Sequence, residues 1–349
     1  MPTPIRYSKD IEQLQDDEAA VIAETIELMR ATMEKAFDQH RHAASGTHAK
    51  SHGVATGTLT VADDLPPELA QGMFAAPASY EVVLRLASEP GQIDPDTAAR
   101  ARGAALKVLG VPGEKLEPGW PSQDWLFNTW PVIPDGDATT YLTSIRQREK
   151  HAGHHLLTDV TTVAKQRTLD ALLFERTPNI HPLAHTYYTQ SAFRYGDHVA
   201  KLRLTPATGE MRALGGREVS RSDPPDVLHR WVREFMAERA ARFDLEVQLC
   251  VDLNAMPVED AAVEWSEELS PYRRVGVVEL PAQETFSPAR RVYADDRLGG
   301  RPWNGLVAHR PLGSINRVRK QAYDELGRWR FETNAITPSE PRTLAEIPD

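Results

Sequence analysis

Cysteine is almost absent from this 349-residue chain, in which Cys250 is the only one. A single cysteine excludes an internal disulfide and fits a reducing compartment. The first residues, MPTPIRYSKDIEQLQDDEAA, lack the apolar core of a signal peptide. No apolar run approaches the roughly 20 residues that a membrane helix needs. We therefore expect a cytoplasmic protein without a membrane span.

Excess positive charge is also lacking, since 40 Lys and Arg face 50 Asp and Glu and give a formal net charge of −10. An acidic chain has no general attraction for nucleic acid or anionic membranes, so we expect no nucleic-acid partner. Phosphate-cradling glycine loops, Ser–His–Asp arrangements and paired cysteines are missing too. The clustered His151, His154 and His155 form no HExxH pattern and are predicted to be surface residues.

Short β-prone segments dominate the regular structure that the sequence predicts. Helical spacing of apolar residues predicts helices over about residues 10–39 and 314–330 and within DVLHRWVREFMAERAARF. The strands do not alternate regularly with helices, so the pattern favours an α+β protein built on an antiparallel sheet or barrel. The strand candidates are GVATGTLTVA, SYEVVLRLAS, GAALKVLGV, HVAKLRLTPA, LEVQLCVDL and RRVGVVEL.

One tyrosine stands among four arginines and a lysine in INRVRKQAYDELGRWR, residues 315–330. At 3.6 residues per turn, Arg319, Tyr323 and Arg330 share one helix face. A free tyrosine has a pKa of about 10, and keeping such a phenol ionised at neutral pH requires roughly 4 kcal/mol. A bound ferric ion could provide most of that energy, with an arginine in support. A solvated basic face is the alternative interpretation.

This Arg-x-x-x-Tyr pattern, with a further arginine seven residues beyond the tyrosine, resembles the proximal helix of the haem catalases. Other segments resemble that family in the same order along the chain. Each motif is weak alone, but together they cover most of the chain from about residue 44 to 330. The segments are GTHAKSHGVATGTLTV (46–61), YEVVLRLAS (80–88), ARARGAALKVLG (99–110), QDWLFNTWPVI (123–133) and VEWSEELSPYRRVGVVELPAQETFSP (263–288).

The resemblance implies an eight-stranded antiparallel β-barrel with haem b buried beside it and helices outside. It further implies a single haem domain over residues 1–349. Within it lie a helical arm (1–43), a barrel region with inserted helices (44–280) and a short wrapping segment with the proximal helix (281–349). The implied site residues are Tyr323 as axial iron ligand, Arg319 as its partner, Arg85 and Arg330 on the haem propionates, His48 as distal base and Asn128 opposite the peroxide.

Several positions depart from the family pattern. Ser45 stands where the family has an arginine, so that contact is missing or comes from Arg41. Ala87 replaces the serine that backs the distal histidine, and the next residue, Ser88, faces the other way in a regular strand. Thr47 precedes the histidine in place of valine and could hydrogen-bond the imidazole or the peroxide, as the resemblance to catalase-related allene oxide synthases implies.

The strand that follows the distal histidine contains one extra residue, because Gly53 and Gly57 are further apart than in the family. We therefore predict an insertion or bulge there. If the insertion precedes His52, that histidine replaces His48 as the distal base.

We expect a haem-dependent oxidoreductase, a peroxidase or weak catalase acting on hydrogen peroxide or organic hydroperoxides. The alternatives are a fatty-acid hydroperoxide isomerase and a haem-binding protein without turnover. The resemblance implies association through N-terminal arms and wrapping loops, and because the wrapping segment is short here, we expect a homodimer.

Overall fold

The computed structural model describes the backbone of residues 2–89, 91, 93–151 and 178–349. His154 and His155, predicted to be surface residues, lie outside these ranges, as does the side chain of His151. The strands are β1 Lys50–Val61, β2 Ser79–Ser88, β3 Arg102–Leu109, β4 Ser122–Asn128, β5 Tyr187–Tyr188, β6 Phe193–Tyr195, β7 His198–Pro206, β8 Ala241–Leu249 and β9 Arg273–Leu280. The helices are α1 Glu18–His40, α2 Ala138–His151, α3 Gly209–Ala213, α4 Val227–Glu238, α5 Pro288–Val292 and α6 Ser314–Thr333.

Eight strands close into an antiparallel barrel, in the order β1, β2, β3, β4, β5, β7, β8, β9 and back to β1. Strand β6 lies outside the closed ring and pairs with β7. Closure leaves the eight strands without a free edge. The predicted α+β class and eight-stranded antiparallel barrel are therefore confirmed.

Alternation along the strands separates an inner face from an outer face. On β2, Val82, Leu84 and Leu86 belong to the central core, whereas Val83 packs in a separate cluster with Leu298. Each fully buried aliphatic side chain contributes about 1.5–3 kcal/mol, so the apolar inner face strongly favours this register. The outer face of β2 is left for the packing of other segments.

Helices α1, α2 and α6 form a second apolar cluster outside the central core. Ile22 and Ile26 of α1 and Leu326 of α6 are buried in it. The predicted helix over residues 10–39 begins later than expected, at Glu18, because residues Lys9–Ile11 form a 3₁₀ turn. No described helix combines the length and the apolar composition needed to cross a membrane.

A histidine is buried among the aromatic residues of the barrel core. The ring of His309 packs edge-on against Phe74 and Trp125 and is tilted against Tyr195. Its Nε2 accepts a hydrogen bond of 3.0 Å from the backbone N–H of Met73. Burial lowers its pKa to about 3, so the imidazole is neutral in the folded protein at pH 7.

Acid should therefore destabilise the fold through His309. Its pKa is near 6.5 in the unfolded chain and about 3 in the folded one, so below pH 6.5 the unfolded state binds the extra proton. The free energy of unfolding should fall by about 1.4 kcal/mol per pH unit for such a group. In urea denaturation of the apo-protein between pH 6 and pH 4.5, His309→Gln should flatten the slope by that amount. An unchanged slope would show that His309 is not neutral in the fold.

Candidate functional site

The candidate site lies on the outer surface of the barrel, where β2, β3 and β4 run side by side. Outward positions on neighbouring strands form one continuous surface, and segment 298–300 packs against part of it. The side chains that face this segment are those of Val83, Arg85, Ala105, Lys107, Asp124 and Leu126. At one end of the surface, Ala87 pairs with Gly103 and Gly103 pairs with Asn128.

His48 stands at that end of the surface, in the loop that precedes β1. Its backbone is left-handed, with φ of 52°, a conformation that costs a non-glycine residue about 1–3 kcal/mol and is frequent at functional sites. The imidazole lies against Gly103, where an added Cβ would come within 2.2 Å of the ring. Because Gly103 pairs with Asn128, the histidine and the amide meet, with Asn128 Nδ2 3.5 Å from His48 Nε2.

Asn128 is held in one orientation by the backbone. The N–H of Trp130 donates to Asn128 Oδ1 over 2.9 Å. A backbone N–H can only donate, so the amide oxygen must face Trp130 and the NH₂ must face the opposite way. That NH₂ group donates to Glu89 Oε1 at 2.8 Å and points towards His48. The site thus contains an amide donor whose direction is fixed.

Glu89 is a member of the site that the sequence reasoning missed. Besides accepting from Asn128, its Oε1 lies 3.6 Å from His48 Nε2. A signal for it was present, because Arg85, Ala87 and Glu89 are two residues apart and alternation puts all three on the same face of the strand. The two residues that the resemblance predicts as a distal pair, His48 and Asn128, therefore lie together with a carboxylate.

The environment keeps the His48 imidazole neutral. Burial, followed by the positive charges of Arg85 and Arg319, lowers the pKa of His48 to about 3. At pH 7 one ring nitrogen therefore carries a lone pair, and the NH₂ of Asn128 faces Nε2. A neutral imidazole in this position can accept a proton from a bound molecule.

His52, the rival candidate, belongs to a different network. The pairing of β1 with β2 shifts between Ser51 and Gly53, so a bulge lies in this strand as predicted. His52 is fully buried and its Nε2 is hydrogen-bonded to the Ser88 hydroxyl, which also accepts from Arg102. Burial and then the charge of Arg102 hold the pKa of His52 well below its usual range. The structure therefore joins His48, and not His52, to the amide.

Two arginines predicted to bind carboxylates approach the same acidic residue. Asp295 lies in a π-helical turn, Tyr293–Arg297. Arg85 Nη2 is 3.5 Å from Asp295 Oδ1, and Arg330 Nη1 donates to the Asp295 carbonyl. Burial, and then the charge of Arg85, lower the pKa of Arg330 to about 10. The Nε–H of Arg85 is buried without an acceptor among the described residues, so it is a donor that a bound carboxylate could satisfy.

Tyr323 and Thr47 make no described hydrogen bond to His48, Asn128 or Glu89. Tyr323 is half-buried on α6, and its phenol has no hydrogen bond to any described residue. Arg319, one turn earlier, donates to Asn316 Oδ1 over 3.2 Å instead of to the phenol. Thr47 is half-buried beside His48 in the chain and likewise has no described hydrogen bond.

Arg41 does not point towards the site, so it does not replace the arginine that the family has at the position of Ser45. The Arg41 side chain is 78% exposed and lies 3.6 Å from the equally exposed Asp38. Within the described ranges, no group of three or more His, Cys, Asp or Glu side chains could hold a metal ion. A metal ion that is bound by a cofactor and by one tyrosine side chain needs no such group of protein ligands.

Solved structures of catalases share this architecture. A fungal catalase superposes with a TM-score of 0.60 at 18% identity over 94% of this chain and 65% of its own. Catalase A from Saccharomyces cerevisiae superposes with a TM-score of 0.58 at 16% identity, over 94% of this chain and 67% of its own. A bacterial catalase superposes with a TM-score of 0.57 at 16% identity, over 94% of this chain and 63% of its own. No family model and no curated protein matches the sequence. The chain thus has the catalase fold and spans about two thirds of the length of these catalases.

The absence of a side chain at residue 103 should be required for the position of His48. In Gly103→Ala the new methyl group would clash with the half-buried imidazole, so the ring should move away from β3 towards solvent and its pKa should rise from about 3 towards about 6.5. Histidine NMR titration of the apo-protein, with His48 assigned through His48→Ala, measures this change. Gly209→Ala is the control, because nothing lies within 4 Å of that added Cβ. An unchanged His48 titration in Gly103→Ala would contradict the arrangement.

Proposed function

We propose that this protein binds haem b on the outer face of its barrel and acts as an oxidoreductase on peroxides. The observation that carries the proposal is the meeting of a neutral His48 with the oriented amide of Asn128, next to Arg85, on a barrel of the catalase fold. Those residue types handle protons and anions, which are the tasks that peroxide cleavage at a haem leaves to the protein.

The described side chains are suited to bind haem. Haem carries two propionates, and Arg85 and Arg330 both lie at Asp295, with the Nε–H of Arg85 still lacking a described acceptor. Arginine is the side chain best shaped to bind a carboxylate through two hydrogen bonds. Tyr323 would be the axial ligand, because its half-buried phenol has no described partner and Arg319 lies one helical turn away. Thr47 would line the distal side next to His48.

When bound, haem would supply the redox step of peroxide cleavage. The chain's own residues would manage the proton. Nε2 of the neutral His48 would accept a proton from the near oxygen of the peroxide and return it to the far oxygen. The oriented NH₂ of Asn128 would hold the departing oxygen through a hydrogen bond without titrating.

The structure gives no particular support to the isomerase alternative. That hypothesis depended on Thr47 bonding to the histidine or to the peroxide, and Thr47 has no described hydrogen bond to His48. The substrate class that we propose is hydrogen peroxide or an organic hydroperoxide, consumed by peroxidase or weak catalase activity.

The cofactor part of the proposal is tested with hemin and a single variant. Purified protein reconstituted with hemin should show an intense Soret band with high-spin ferric features, and Tyr323→Phe should change this spectrum and weaken hemin binding by about tenfold or more, since the variant removes the oxygen that would bind iron. Tyr80→Phe is the matched control, because it removes another half-buried phenol away from α6. A colourless protein, or a Tyr323→Phe spectrum equal to wild type, would sink the proposal.

The activity part of the proposal is tested by substituting His48 and His52 one at a time. His48→Ala should retain hemin and lose about 10²-fold or more in turnover, measured as oxygen release from hydrogen peroxide and as dye oxidation with cumene hydroperoxide. His52→Gln should retain turnover, since His52 is bonded within a separate buried network. Loss of a conjugated-diene hydroperoxide without reductant would instead favour the isomerase. Full turnover in His48→Ala would remove that residue from the mechanism.

A further inference from the structure

We propose that Glu89 is a third catalytic residue of the distal site, the one that stores and returns the proton during peroxide cleavage. This inference rests on the proposed function and deepens it. It assigns to a carboxylate a task that the resemblance to catalases gives to the histidine alone.

The position of Glu89 follows from the barrel. Its backbone N–H donates to the carbonyl of Ala101 over 3.1 Å, which continues the pairing of β2 and β3 by one residue beyond Ser88. The side chain therefore lies on the outer face, where Oε1 is 2.8 Å from Asn128 Nδ2 and 3.6 Å from His48 Nε2. With 36% of its side chain exposed, Glu89 is accessible to a small molecule that reaches His48.

His48 is poorly suited to hold a proton by itself. Its imidazolium is disfavoured by burial and by the charges of Arg85 and Arg319. The described carboxylate that acts against them is that of Glu89, 3.6 Å from Nε2. A proton accepted by His48 would therefore be retained only briefly. Asn128 cannot store it, because an amide does not titrate near neutral pH. The carboxylate of Glu89 is the remaining described group within reach that can.

The proton balance closes within the site. One proton leaves the near oxygen of the hydroperoxide and passes through His48 Nε2 to Glu89 Oε1. The same proton then returns to the far oxygen, which departs as water or an alcohol after the O–O bond breaks. Glu89 ends in its starting state, and the electrons that break the bond belong to the haem chemistry already proposed. Asn128 keeps the carboxylate in place through its bond to Oε1.

Ligand binding to the hemin-loaded protein tests this role apart from turnover. Hydrogen cyanide must give its proton to a nearby base when it binds as an anion, whereas nitric oxide binds as a neutral molecule. In Glu89→Gln the isosteric amide can still accept from Asn128 but cannot hold a proton as a carboxylate does. Cyanide affinity, measured from the Soret shift, should fall by about tenfold or more, while nitric oxide affinity should stay within about twofold. Glu89→Asp should recover part of the cyanide affinity.

Peroxidase turnover gives the second measurement. With cumene hydroperoxide at pH 7, Glu89→Gln should lose about 10²-fold in kcat with little change in KM, as expected for a lost proton-transfer group. Glu279→Gln is the matched control, because Glu279 is an exposed barrel residue paired with Arg242 over 3.4 Å.

The outcomes separate the two proposals. If wild-type protein binds hemin and Glu89→Gln binds cyanide as well as wild type does, the role of Glu89 is overturned and the proposed function stands. If both ligands weaken together, Glu89 only shapes the pocket, and the proton role is again overturned. If wild-type protein does not bind hemin, both proposals fall.

Discussion

Arg85 joins the two sides of the candidate site. It points outward from β2, and both terminal nitrogens of its guanidinium donate to the carbonyl of His48 over 3.2 Å. The same group approaches Asp295, and its charge lowers the pKa values of His48 and Arg330. One largely buried cation therefore fixes the loop that carries the histidine and adds to the effect of burial, which is the larger cause of the lowered pKa of His48. It also leaves a donor for an anion.

The closed barrel carries these residues in a register that the sequence indicated in part. Strands that bury one face favour a single register, and alternation predicted most of the long strands. The glycine spacing predicted an irregularity in β1 but not its position, because the pairing is regular from Gly53 to Gly57 and the bulge lies between Ser51 and Gly53. Alternation also predicted that Ser88 turns away from Arg85, and Ser88 is bonded to His52 on the other face. These features could be predicted because each depends on residues that are close together in the chain.

The sequence could not supply contacts that depend on distant parts of the chain. Strands β5 and β6 contain two and three residues, which is too short for any periodicity to be visible. The approach of Asp295 to Arg85 requires a π-helical turn far from β2 in the chain. Glu89 differs from these, because alternation already placed it on the face of Arg85. It was not predicted because the resemblance implies only the histidine and the amide at this site.

Four of the five cations near Tyr323 on α6 divide into two groups according to their partners, and the fifth, Arg328, is exposed. Arg317 binds the carboxylates of three glutamates, and this raises its pKa further above its ordinary range. Lys320 approaches one glutamate and the ring of a tryptophan. Arg317 and Lys320 thus bind the first half of α6 to neighbouring segments of the chain. Arg319 and Arg330 instead act on His48 and Asp295. Arg319 donates to Asn316 within its own helix, and Arg330 donates to the half-buried Asp295 in the π-helical turn. Two of the cations therefore face groups of the protein, which a merely solvated basic face would not require. Their positions support the anion-binding role that we propose for this helix.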